Sequence, residues 1–190
     1  MKEIKKLGIT TQEGFSVRNL QRFPSMEWGD EGGLQAELFY NGQNVMTVYQ
    51  EGNGGCAITY WTDYGRSIEN EVKEQALKFL QRVDKSYGQN TPYSWLKNKT
   101  AQKMDNDDFE SLVINIESRY DMVKSFKKGL KNGYTSFAEV VYENGLSRSV
   151  NSRAENVNKD YIMNFLKQNK LGDNVESIEI LRLGDNLETY

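Results

Sequence analysis

Gly32–Trp61 reads GGLQAELFYNGQNVMTVYQEGNGGCAITYW, and this stretch decides the fold. Leu34, Ala36, Leu38 and Tyr40 alternate with Gln35, Glu37 and Phe39. That period of two marks a strand with one buried face. Asn41-Gly42 follows directly. A type I′ turn needs positive φ at both central residues, which Asn tolerates and Gly adopts freely. A two-residue turn predicts that Tyr40 faces Gln43, Leu38 faces Val45 and Ala36 faces Thr47. The other face then pairs Phe39 with Asn44 and Glu37 with Met46. The second strand is expected to run to about Glu51. Gly52-Asn53-Gly54-Gly55 breaks it, and Cys56 to Trp61 makes a third strand of a meander.

The glycines around Asn53 raise the question of a phosphate loop. Such a loop needs a Lys-Ser/Thr pair after its glycines and a helix N-terminus to present N–H groups. Here Cys56-Ala57 follows, then β-branched and aromatic residues. The expected structure is a turn or bulge with residues at positive φ. No cofactor motif is present, so no cofactor is expected.

The residues Gly33, Ala36, Leu38, Tyr40, Gly42, Val45, Val48 and Glu51 to Gly55 carry a resemblance. Their order resembles a module found in small proteins of phages and plasmids. The resemblance covers about a third of the chain and carries no catalytic residues. It implies a mobile-element origin and a non-enzymatic protein that binds a host protein or ribonucleoprotein complex. It also implies an inhibitor of a nucleic-acid-targeting defence system, of the anti-CRISPR or anti-restriction type. That implication is one of class, since a fold does not fix a function.

Outward from this stretch, charge is unevenly spread. No Lys or Arg occurs from Met26 to Gly65, while Glu27, Asp30, Glu31, Glu37, Glu51 and Asp63 do. Trp28, Tyr40, Tyr49, Tyr60, Trp61 and Tyr64 share the span. Aromatic anchors with acidic steering suit an interface to a basic partner. The candidate partner-binding residues are Glu27, Trp28, Asp30, Glu31, Glu51, Asn53 and Asp63. Upstream, Ile4 to Thr11 fits an edge strand, and Phe15 to Leu20 fits a strand or a short helix.

Downstream, Ile68, Val72, Ala76, Leu80 and Val83 recur at helical spacing, predicting a helix from Ser67 to about Lys85 with Ser67 as N-cap. It is expected to pack across the meander. Asp63 with Glu71 and Lys73 is reminiscent of metal-dependent nucleases, but Glu71 and Lys73 would leave a helix on different sides. Tyr87 to Lys103, with Gly88, Asn90 and Pro92, reads as a linker. Asp105-Asn106-Asp107-Asp108 would start a calcium loop only with Gly and Glu where Glu110 and Ile116 stand, so helix capping is expected. Phe109, Leu112, Val113, Ile116, Tyr120, Val123, Phe126 and Leu130 then give a long helical stripe stopped by Asn132-Gly133.

The last third predicts ββαβ. Ser136 to Tyr142 is a strand, Glu143-Asn144-Gly145 a turn and Leu146 to Val150 the return. A helix from Asn158 or Lys159 to Lys170 turns Tyr161, Ile162, Phe165 and Leu166 inward and ends at Gly172. Val175 to Leu183 is the last strand. Ala36 to Gly42 and Ala138 to Gly145 share an Ala-Glu…Tyr…Asn-Gly pattern, which fits either a duplicated hairpin or independent use of the same turn.

The expected class is α+β, with a lobe at 1–86, a linker at 87–105 and a second lobe at 106–190. The chain holds 190 residues, a net charge of -3, one cysteine and no histidine. The lack of histidine excludes His-based nucleophile systems, His-ligated zinc and His general bases. One cysteine excludes an internal disulfide, and Cys56 is expected to be buried. The N-terminal segment lacks an apolar core of secretory length, so a cytoplasmic location is expected. The alternative function is nucleic-acid binding through Lys97, Lys99, Lys103, Lys124, Lys127, Lys128 and Lys131.

Overall fold

The computed structural model describes residues 7–24, 32–52, 55–86, 96, 98–143, 146–154 and 157–187. The fold is α+β. Strands β1 (Phe15–Phe23), β2 (Gly33–Tyr40), β3 (Gln43–Gln50) and β4 (Ile58–Trp61) form an antiparallel sheet in the order β1-β2-β3-β4. Phe15 to Leu20 is thus strand rather than helix. Of the expected strand before it, Leu7 donates to the Val17 carbonyl and Thr10 bridges to Ser16.

The hairpin begins as the turn predicts, with Tyr40 opposite Gln43 and Phe39 opposite Asn44. Asn41 and Gly42 both take positive φ. Pairing then slips. Leu38 faces Met46, Glu37 faces Thr47 and Ala36 faces Val48, one residue out of the expected register. The cause is a bulge at Val45. Val45 and Met46 are consecutive apolar residues, and the extra residue allows both to be fully buried. The Val45 carbonyl accepts the Thr62 N–H at 3.0 Å. Gly65 packs on the same carbonyl, where a Cβ would lie 2.0 Å from the oxygen.

The helix expected from Ser67 to about Lys85 is present from Glu69 to Ser86, and a further short helix, not expected from the sequence, precedes it. Helix α1 (Asp63–Ser67) is capped by Thr62, whose hydroxyl accepts the Gly65 N–H at 3.0 Å. Helix α2 (Glu69–Ser86) follows after Ile68. Ser67 is therefore no N-cap; its hydroxyl donates to the Tyr64 carbonyl at 2.6 Å. Thr62 starts α1, the preceding helix, where its N–H bond to the Val45 carbonyl on the bulged strand holds it in place.

Helix α3 (Asn106–Lys131) starts with a reciprocal capping box. Asp108 N–H donates to Asp105 at 3.2 Å, and Asp105 N–H donates to Asp108 at 2.8 Å. It ends where Gly133 takes positive φ and donates to the Leu130 carbonyl at 3.0 Å.

The chain divides into two compact units. Unit 1 takes the described residues within 1–83 and 92–120, and unit 2 those within 84–91 and 121–187. The first part of α3, to Tyr120, therefore belongs with the four-stranded sheet. Its core joins Phe15, Val17, Leu38, Met46 and Val48 with Val72, Ala76, Phe79 and Phe109, all buried. Trp61 meets Phe109 edge-on at 5.5 Å.

In unit 2, β5 (Ser136–Tyr142), β6 (Ser147–Ser152), α4 (Lys159–Gln168) and β7 (Val175–Arg182) give the expected ββαβ order. The antiparallel sheet runs β6-β5-β7. Asn158 caps α4, accepting the Tyr161 N–H at 2.8 Å. Ile162 and Leu166 pack against Ala138, Val140, Val150 and Ile178. Tyr161 and Phe165, expected inward, are 43% and 42% exposed. Each precedes an inward residue, and one step turns a helix by roughly 100°. The helix ends with Lys170, not Gly172, in the left-handed region. No described helix is long and apolar enough to cross a membrane.

Candidate functional site

Register divides the side chains of the unit 1 sheet between two faces. Phe15, Val17, Leu34, Ala36, Leu38, Tyr40, Met46, Val48, Thr59 and Trp61 share one face. Helices α2 and α3 cover it. Tyr40 donates to Glu71 at 2.8 Å, and Arg22 binds Glu117 at 2.5 Å. Arg18, Phe23, Glu37, Phe39, Thr47, Tyr49, Ile58 and Tyr60 point to the opposite face. There Phe23 stacks on Tyr49 at 5.8 Å, and the Arg18 guanidinium lies 4.1 Å over Phe39. Towards the β4 edge the face opens. Tyr60 is 60% exposed and Ile58 41%, and Tyr64 and Asp63 on α1 are exposed as well.

Strand β4 is held in place from its inner side. Ala57 N–H donates to Asp107 at 2.8 Å and the Thr59 hydroxyl to Asn106 at 2.6 Å. Alternation then forces Ile58 and Tyr60 outward. Sequence reading found the strand but not its faces; the signal was the alternation of Ile58 and Tyr60 with Thr59 and Trp61.

Gly52, at the start of the glycine-rich stretch, has a packing reason. Gly52 takes positive φ, and a Cβ there would lie 2.4 Å from Gly33 N. Gly32-Gly33 and Gly52 let two backbones meet where β2 begins and β3 ends. Gln50 accepts from Gly52 N–H at 3.1 Å and donates to the Gly55 carbonyl at 2.5 Å. An open cleft of about 160 Å³ beside it is lined by Tyr49, Gln50, Glu51, Gly55, Cys56 and Ile58. That is below the size of an ordinary small-molecule site. Cys56, expected to be buried, is exposed, because it precedes the paired part of β4.

No family model, curated protein or solved structure matches the chain. Of the partner-binding set, Glu51 and Asp63 are exposed near the β4 edge. Glu27, Trp28, Asp30, Glu31 and Asn53 lie outside the described residues. A larger open cleft of about 400 Å³, lined by Arg66 to Glu71, sits where α1 meets α2. Its carboxylates are engaged, Glu71 with Tyr40 and Glu69 with Lys73 at 2.6 Å. Among the described residues no group of three or more Cys, Asp or Glu side chains converges to hold a metal.

The lysines of the alternative site separate. Lys97 lies outside the described residues. Lys99 is 11% exposed and bound to Asp108 at 2.6 Å and to Asp105 at 3.1 Å. Burial pushes the Asp108 carboxyl up, and the Lys99 ammonium opposes that only in part. Asp105 is also raised by burial, but Lys99 and backbone N–H groups outweigh this and hold it below its ordinary range. Lys99 is thus part of the α3 cap and is removed from the binding set. Lys103 is exposed in a 3₁₀ turn. Lys124, Lys127, Lys128 and Lys131 are exposed on the unit 2 part of α3.

Proposed function

We propose that the protein is a non-enzymatic binding protein whose unit 1 docks onto a basic surface of a host protein or ribonucleoprotein complex. The observation that carries this reading is the open β4 edge, where Ile58, Tyr60 and Tyr64 lie exposed beside Glu51 and Asp63 in a span without Lys or Arg. Tyrosine supplies a large, rigid contact area with a polar tip. Surrounding carboxylates steer a cationic partner and reject an anionic one, which speaks against nucleic acid on this face. Origin in a phage or plasmid, and inhibition of a defence system, rest on the sequence resemblance of residues 33–55.

The test is capture from a host lysate with two variants. Tyr60→Ala combined with Asp63→Lys should weaken capture of the host complex roughly 10- to 100-fold, the range of a central aromatic anchor. Glu27→Lys/Asp30→Lys/Glu31→Lys should abolish it while circular dichroism stays unchanged. Undiminished capture by both variants would sink this site.

A further inference from the structure

Unit 2 carries the opposite pattern. No acidic residue occurs from Met122 to Ala138 or from Leu146 to Ala154, while Lys124, Lys127, Lys128, Lys131, Arg148 and Arg153 do. The fold brings these two segments together. Thr135 N–H donates to the Ser152 carbonyl at 2.9 Å. A Cβ on Gly129 would lie 3.0 Å from Asn151 Oδ1. A glycine inside a helix costs about 1 kcal/mol, and here it admits β6 close to α3. Arg153 donates to the Asn132 carbonyl at 3.3 Å, and its guanidinium lies 5.2 Å from the Tyr134 ring.

The lysines recur at i, i+3, i+4 and i+7 and are all exposed, so they form one stripe. From Lys124 to Lys131 the stripe spans roughly 10 Å. Ser147, Ser149 and Asn151 are exposed on the α3 side of edge strand β6. Glu139 and Glu179 share that sheet face but are half-buried, opposite each other on β5 and β7. Asp121 stands at the start of the stripe. The helix dipole accounts for cations in the last turn, Lys128 and Lys131. It does not account for Lys124 and Lys127 further back, nor for Arg153 beyond β6; Arg148, between Ser147 and Ser149, points to the opposite, α4 side and is not part of this surface.

We propose that this surface binds the phosphate backbone of nucleic acid. Lysine and arginine supply the charge for contacts to phosphate oxygens. The guanidinium of Arg153, held over Tyr134 with one N–H on the Asn132 carbonyl, has further N–H groups for phosphate oxygens. Contacts to phosphate carry no sequence information, so binding is largely independent of sequence. The inference stands apart from the unit 1 docking surface.

The full chain is titrated against labelled duplex DNA, duplex RNA and single-stranded oligonucleotides by fluorescence anisotropy from 50 to 200 mM salt. At least one duplex should bind, and affinity should fall roughly 100-fold across that range for about four neutralised phosphates. Lys127→Gln/Lys128→Gln/Lys131→Gln should flatten the salt slope by about three, and Arg153→Gln by about one. Lys78→Gln, an exposed control on α2, should leave it unchanged. The arginine counterpart of the triple variant should keep binding. Absence of binding at 50 mM salt overturns the proposal. So does a slope that the triple variant does not alter, or binding of the same lysines only to vesicles of anionic lipid.

Discussion

The β4 edge of unit 1 and the β6 edge of unit 2 differ in what their exposed positions carry. Around β4 stand Ile58, Tyr60, Tyr64, Glu51 and Asp63, in a span without cations. Near β6, on α3 and just past the strand, stand Lys127, Lys128, Lys131 and Arg153, in spans without anions. The buried sides differ far less: apolar strand residues meet apolar helix residues in both, Phe15, Val17, Leu38 and Val48 with Val72, Ala76 and Phe79 in unit 1, and Ala138, Val140, Val150 and Ile178 with Ile162 and Leu166 in unit 2. Apolar periodicity builds each unit, and the charges left outside separate their uses. A basic partner suits the first edge and a polyanion the second.

The comparison breaks first if the cores are not what hold the units. Phe109→Ala should cost about 3–5 kcal/mol in denaturant unfolding, because it empties the space against Trp61. Ile162→Val in unit 2 should cost about 0.5–1.5 kcal/mol. Comparable losses would show that the first turns of α3 do not anchor the four-stranded sheet.

Two glycines sharpen the contrast at a smaller scale. Gly52 and Gly133 both have positive φ, at 79° and 77°. A Cβ on Gly133 meets nothing within 4 Å, whereas on Gly52 it meets backbone. Gly133→Ala should cost about 1 kcal/mol, the conformational penalty alone. Gly52→Ala should cost clearly more, since the β2 and β3 ends must part. Equal thermal shifts would refute the backbone contact as the reason for Gly52.

The smallest effect concerns charge that is structural. Burial works to raise the Glu13 carboxyl, but two hydrogen bonds from Arg82 hold it below its ordinary value of 4.5. The unfolded chain then binds the proton more readily. The contribution is present above the unfolded value and is lost as pH falls through the folded one. Glu13→Gln should lower stability at neutral pH by about 1 kcal/mol or less and flatten the acid limb of the stability curve. A steeper acid limb in the variant would contradict that sign.

Much of the fold was legible because the local signals agreed. Asn41-Gly42 fixed a hairpin, Asn132-Gly133 a helix end, and the order ββαβ followed from strand and helix periods. The bulge at Val45 was not legible, because two adjacent apolar residues gain burial only once a core exists to receive both. Tyr161 and Phe165 look inward on composition, and only the sheet beneath α4 selects Ile162 and Leu166 instead. Of the candidate site, the sequence showed the base-free span, but not which aromatics face out.

The sequence by itself determined the class α+β, the two hairpins, the capped long helix and the absence of histidine chemistry. These depend on neighbours a few residues apart, where turn geometry and period act directly. Tertiary structure alone decided that the first half of α3 belongs with the N-terminal sheet. It also tied Lys99 into a cap and set Arg153 against the C-terminal end of the lysine-bearing helix α3. Those outcomes depend on residues far apart in the chain, and only packing brings them within reach of one another.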